Sequence, residues 1–247
     1  MAYTSNWNLP PGKVELLTED IHVWSASLDV QEEEMQSLLH ILDFEERARA
    51  DRFYFERDRS RFIACRAYLR TILAYYLDIE PERLQFNYTP NGKPYLVQRF
   101  RGSELQFNLS HSRAFALYAV TLNRQVGVDI EHIYLSAEID SLADRILTKR
   151  EKAAWSKLSA NERLKALFRY WTCKEAVVKA TGKGLAMPLE KIHISLKPDQ
   201  TRLMSINQSV REASQWSLQE LHPVPDFAAA IVVEGFGYHL NHWQWPQ

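Results

Sequence analysis

The chain has 247 residues, of which 46% are apolar and 25% charged, a composition that excludes the disordered and fibrous classes and allows one or two compact units. A formal net charge of -1 argues against a surface built throughout for nucleic acid, and two cysteines, Cys65 and Cys173, are too few for a disulfide scaffold. The start of the chain lacks the basic and apolar leader of a signal peptide, and the longest apolar runs, Ala114 to Val120 and Phe227 to Val233, are strand-sized, so a soluble cytoplasmic protein without a membrane partner is expected.

In chain order, helix formers dominate from Val30 to Leu77, with a charged helix around Glu32 to Leu42 and a longer one that contains Tyr68 to Leu73 near its end. A strand over Leu84 to Tyr88, a turn at Pro90-Asn91-Gly92 and a short run at Pro94 follow. Ala114 to Val120 then reads as one arm of a hairpin that turns at Asn123-Arg124-Gln125 into Val126 to Glu131. Helices return from Leu142 to about Thr181, and Ile192 to Leu196 and Asp226 to Glu234 read as strands. Helices then strands, twice over, predict an α+β chain of two similar halves, 1–125 and 126–247, packed directly on each other.

The sharpest chemical signal is Val126-Gly127-Val128-Asp129-Ile130-Glu131. On a strand, alternation places Gly127, Asp129 and Glu131 on one face, the two acids roughly 7 Å apart at their attachment points, and like charges so placed favour a cation between them. Gly127 is expected to leave room for a ligand; a polar face meeting water is the plainer alternative. On the helix through Trp171, Glu175 falls within the stripe of Leu164, Leu167, Phe168, Trp171 and Val178. An inward carboxylate needs a positive partner, either a metal or Lys179 one turn later. Carboxylates without His or Cys suit Mg²⁺, which in turn implies phosphate oxygens.

Eight arginines lie between Arg47 and Arg70 among several acids, and a minority of them are candidate phosphate clamps. Thr181-Gly182-Lys183-Gly184 ends the Glu175 helix and is a helix stop, not a P-loop. Around His111, Asn108, Ser110 and Ser112 are expected to form a turn that orients the imidazole.

In this order, Asn91-Gly92-Lys93-Pro94, Phe107-Asn108-Leu109-Ser110-His111-Ser112, the Asp129 strand and Trp171-Thr172-Cys173-Lys174-Glu175-Ala176 with Lys179 resemble the Sfp-type phosphopantetheinyl transferases. The resemblance implies a pseudo-twofold α+β body with coenzyme A and Mg²⁺ in the cleft between its halves. It implies Asp129, Glu131 and Glu175 as metal ligands, and Glu175, Lys179 and His111 as the catalytic set. Arg49, Arg61, Lys93, Ser110, His111 and Lys179 would contact coenzyme A, although Glu46 stands where some members have a basic residue. The implied reaction moves phosphopantetheine from coenzyme A to a serine of an acyl or peptidyl carrier protein and releases 3′,5′-ADP. Such carriers are acidic and serve fatty-acid, polyketide or peptide synthesis; Ile146 to Trp155, with Lys149, Arg150 and Lys152, is a candidate docking segment. A monomer is expected. A noncatalytic coenzyme A or carrier-binding module and a Mg²⁺-dependent phosphoesterase are the alternatives.

Overall fold

The computed structural model describes residues 7–10, 14–97, 104–135, 138–197 and 200–246. The first part runs β1 (Asp20–Ser27), α1 (Glu32–Ile41), α2 (Phe44–Ala50), α3 (Glu56–Leu77), β2 (Phe86–Tyr88), β3 (Pro94–Leu96), β4 (Leu105–Ser112) and β5 (Phe115–Leu122). The second runs β6 (Val126–His132), α4 (Ile139–Ile146), α5 (Lys149–Trp155), α6 (Ala160–Thr181), β7 (Ile192–Lys197), β8 (Gln200–Ile206), α7 (Val210–Ala213), β9 (Trp216–Leu221), β10 (Phe227–Glu234) and β11 (His239–Gln244). The α+β class is as expected. The long helical stretch to Thr181 is three helices, because Thr148 with Glu151 and Ser159 with Glu162 form capping boxes that restart the helix twice.

Two sheets carry the core, ordered β11-β1-β5-β4 and β6-β10-β9. Alternation gives each sheet two apolar faces. One face of the first sheet, with Trp24, Ala26, Tyr118 and Val120, packs on Leu69, Ile72 and Leu73 of α3. Its other face, Ile21, Val23, Leu117 and Ala119, meets Val126, Val128, Ile130, Ile231 and Val233 of the second sheet. The far face of the second sheet, Ala230 and Val232, is covered by Leu167, Cys173, Ala176, Val177 and Ala180 of α6. The layers are therefore helix, sheet, sheet, helix, and α3 and α6 are buried around much of their circumference.

Two expectations change. The hairpin partner of β5 is β4, in register from Leu105↔Leu122 to Ser112↔Phe115, whereas β6 pairs with β10. The Asn123-Arg124-Gln125 connection passes from one sheet to the other and is held by the second: Arg124 Nη1 donates to the Glu234 and Phe236 carbonyls, and the Gln125 amide donates to Glu234. The segment Phe107 to Ser112 is strand and not turn. Finally, β11 returns to the first sheet and pairs parallel with β1, from Asp20↔His239 to Ser25↔Gln244, so the end of the second half completes the sheet of the first.

Among the described residues, no helix is long and apolar enough to cross a membrane.

Candidate active site

Where the two sheets meet, β4 runs beside β6, and the bonds across this seam come from side chains. Asn108, Ser110 and Ser112 alternate on one face of β4. Asn108 Oδ1 accepts from the Val128 amide at 2.8 Å, Ser110 Oγ donates to Asp129 Oδ1 at 2.8 Å, and Ser112 Oγ donates to Glu131 Oε2 at 2.8 Å. The polar alternation that reads as a turn around His111 is thus a strand whose small side chains replace a backbone ladder.

Gly127 faces α6, and its missing side chain is filled by the helix. A Cβ built there would stand 2.2 Å from the Ala176 carbonyl oxygen and 2.3 Å from the Ala180 nitrogen. The expected ligand space is absent, since the glycine instead admits α6 to close contact with β6. That approach carries Glu175 and Lys179 over the acids. Lys179 Nζ donates to Asp129 Oδ1 at 2.7 Å, to Ser110 Oγ at 2.8 Å and to the Val128 carbonyl at 3.2 Å. The helical pair between Glu175 and Lys179 is not formed, because Lys179 is directed across the seam.

Asp129 is 3% exposed, and its Oδ2 is buried without a hydrogen-bond partner. The Glu131 carboxyl is pushed above its usual range by desolvation, partly offset by the Ser112 hydrogen bond and raised again by Asp129. Glu175 is raised by desolvation and then by Asp129, with Lys179 opposing. Lys179 therefore leaves negative charge uncompensated. Among the described residues, no group of three or more His, Cys, Asp or Glu side chains is placed so that it could hold a metal ion. An orphaned buried oxygen beside two destabilised carboxylates nevertheless fits a hard divalent ion whose shell is completed by oxygens from outside the protein.

A cavity of about 470 Å³ opens on one flank of the seam, lined by Arg49, Arg61, His111 and Arg113 together with Phe53, Phe62, Tyr88 and Pro94. Arg49 lies over the Phe62 ring at 5.2 Å, while Arg61 is held by Asp29 at 2.7 Å. Solvent reaches His111, yet partial desolvation lowers its pKa, and Lys179 and Arg49 lower it further, which favours the neutral imidazole. Glu175 lines a separate cavity of about 350 Å³ with Arg145, Ile146, Trp171, Met187 and Leu189.

Lys93 does not line the Arg49 cavity. Its ammonium donates to the Val126 and Lys179 carbonyls at 3.1 and 3.0 Å, and burial lowers its pKa to about 8. Asn91 Nδ2 donates to the Gly182 carbonyl at 2.8 Å, so the Asn91-Gly92-Lys93 turn braces the end of α6, where Gly182 makes the expected left-handed stop at φ 67°. Glu46 is buried between Arg66 at 2.5 Å and Arg70 at 2.6 Å while closing a capping box with Asp43, which removes both arginines from the set of phosphate clamps.

Sequence reasoning missed Arg113, for which the only signal is its place between two strands. Lys174, named in the motif around Glu175 without a role of its own, is fully buried and donates to Glu151 at 2.6 Å and to the Ile146 carbonyl at 2.7 Å. In the candidate docking segment, Glu151 and Trp155 are buried and Lys152 pairs with Asp144, leaving Lys149 and Arg150 exposed.

Comparison with known proteins bears on the whole chain. The family model described as 4′-phosphopantetheinyl transferase, N-terminal, matches residues 24–123, and that of the 4′-phosphopantetheinyl transferase superfamily matches residues 125–232. The 4′-phosphopantetheinyl transferase HetI of Nostoc sp. is 42% identical over 239 residues, 97% of this chain and 98% of that protein. The 4′-phosphopantetheinyl transferase Sfp of Bacillus subtilis is 26% identical over 171 residues, 69% of this chain and 73% of its own. A holo-(acyl-carrier-protein) synthase from Bacillus anthracis, solved in complex with CoA (3′,5′-ADP), aligns with a TM-score of 0.38 at 23% identity over 45% of this chain and 96% of that one. Near-complete mutual coverage by a relative at 42% identity, with one family model on each side of the passage from β5 to β6, places the chain in the 4′-phosphopantetheinyl transferase family.

Proposed function

We propose that the protein transfers the 4′-phosphopantetheine arm of coenzyme A to a serine of an apo acyl or peptidyl carrier protein, releasing 3′,5′-ADP, with Mg²⁺ as its metal. The observation that carries this reading is the seam itself. One ammonium, Lys179, is shared by Ser110 and Asp129 beside two carboxylates of raised pKa, and a cavity of arginines and aromatic rings adjoins it.

In the reaction, the serine oxygen bonds to the β-phosphorus as the bond from that phosphorus to the bridging oxygen breaks, and the departing 3′,5′-ADP takes the electron pair. Glu175, made more basic by its desolvated setting and by Asp129, accepts the serine proton. Lys179 offsets charge on the diphosphate from a position fixed by Ser110 and the Val128 carbonyl. Asp129, Glu131 and Glu175 would hold Mg²⁺, which supplies further positive charge to the diphosphate oxygens. His111, Arg49 and Arg61 hold the nucleotide end, and Lys93 acts by fixing the end of α6. Exposed Lys149 and Arg150 on α5 face an acidic carrier. The repeated pairing of a sheet with a 22-residue helix supports two halves related by a pseudo-twofold axis.

Intact-protein mass spectrometry of several apo carriers incubated with the protein, coenzyme A and Mg²⁺ tests this. The expected result is the added mass of phosphopantetheine, lost with Glu175→Gln. No gain on any carrier that a known transferase modifies would refute transfer, and release of free phosphopantetheine without a carrier would favour hydrolysis.

A further inference from the structure

Each acid of β6 has one carboxylate oxygen occupied by the protein and one left over. Asp129 Oδ1 accepts from Ser110 Oγ at 2.8 Å and from Lys179 Nζ at 2.7 Å, while Asp129 Oδ2 is buried without a hydrogen-bond partner. Glu131 Oε2 accepts from Ser112 Oγ at 2.8 Å, and Glu131 Oε1 makes no hydrogen bond or ion pair among the described residues.

The Ser112 hydroxyl is fixed from both sides. Its oxygen accepts from the His132 amide at 3.1 Å, and a hydroxyl has one proton to give, which goes to Glu131. The backbone beneath it is anchored as well, since Ser112 pairs with Phe115 where the β4–β5 ladder ends. β4 and β6 lie in different sheets, so the acid on one sheet is oriented by a side chain from the other.

This arrangement bears on how an ion can be held. A carboxylate oxygen that carries a hydrogen-bond proton is a poor second ligand, because the proton repels a cation at the same oxygen. Asp129 and Glu131 therefore present one oxygen each, and neither closes on an ion as a two-oxygen clamp. Mg²⁺ suits such a pair, because it binds through one or two carboxylates and keeps waters or phosphate oxygens in a strict octahedron. Ca²⁺ is larger, takes more oxygens and commonly uses a bidentate carboxylate.

We propose that Ser112 is a positioning residue that restricts Glu131 to ligation through one oxygen and thereby makes the site prefer Mg²⁺ over Ca²⁺. The identity of the metal rests on the function proposed above. Thermal-midpoint titrations of the full chain with magnesium chloride and with calcium chloride give an apparent Kd for each ion. The wild type should bind Mg²⁺ the more tightly. Ser112→Ala should weaken Mg²⁺ roughly ten- to a hundredfold, the scale of losing a hydrogen-bond partner behind a metal ligand. Ca²⁺ binding should hold or tighten in the same variant, because Oε2 is freed. Ser112→Thr keeps the hydroxyl on a residue that suits a strand and should restore the preference for Mg²⁺. A merely structural role would lower the ion-free midpoint or weaken both ions alike, and an unchanged ratio of the two Kd values in Ser112→Ala overturns the proposal. A wild type that binds neither ion, or prefers Ca²⁺, overturns it whatever the variants do. An altered ratio in Ser112→Ala, in a protein whose wild type modifies no carrier, would sustain Ser112 and refute the transfer.

Discussion

Replacing Gly127 with alanine tests whether the site depends on the approach of α6 to β6. The added methyl would meet backbone atoms at 2.2, 2.3 and 2.9 Å, where ordinary contact begins at 3.4 Å, so the helix must withdraw by about 1 Å. Its neighbours resist, because Val128, Ala176, Val177 and Ala180 are fully buried and no flexible side chain can turn aside. The penalty belongs at or beyond the upper end for overpacking, about 3 kcal/mol. For a chain of this size that lowers the thermal midpoint by roughly 6 to 12 °C. Withdrawal also lifts Glu175 and Lys179 from Asp129, and a 1 Å displacement of such groups costs on the order of 100-fold in rate. Thermal unfolding by circular dichroism and a transfer assay well below the midpoint read the two effects separately. A variant with native midpoint and native rate would refute the claim that this contact sets the site.

Lys179→Met should lower kcat by roughly 10²- to 10³-fold, the scale of losing one electrostatic contact to the reacting group, with a smaller change in coenzyme A binding, measured by steady-state transfer. Glu46→Ala leaves Arg70, which has no exposed surface, without its buried acid and should destabilise the fold by about 3 to 5 kcal/mol in urea titration, though Glu46 has no part in the chemistry. The acids predict a pH effect of definite sign. Glu131 and Glu175 have folded pKa values above 4.5, so without a cation the folded state holds more protons than the unfolded, and the stability they contribute falls as pH rises from that value through the raised pKa. Added Mg²⁺ should therefore raise the thermal midpoint more at pH 8 than at pH 5, and an equal shift at both would argue against these carboxylates as its ligands.

Features set by local pattern and chain-neighbour chemistry were legible in the sequence. The helix from Glu32, the strand ending at Glu234, the left-handed stop at Gly182 and the shared face of Asp129 and Glu131 all follow from periodicity or from the conformational freedom of one residue. The placement of Glu175 near those acids required only that its helix face inward.

Features imposed by long-range contacts were not legible there. Asn108, Ser110 and Ser112 look like turn formers until β6, some 20 residues later, supplies their partners. Gly127 is read as open space from one strand, but a helix 50 residues away fills it. Lys179 had a neighbour of opposite charge one turn back and took Asp129 instead, because side-chain reach across the seam satisfies a buried carboxylate that a helical surface pair cannot. The parallel pairing of β11 with β1, the two arginines gathered by Glu46 and the positive φ of Arg113 have the same origin: each is fixed by partners brought together only when both sheets are in place.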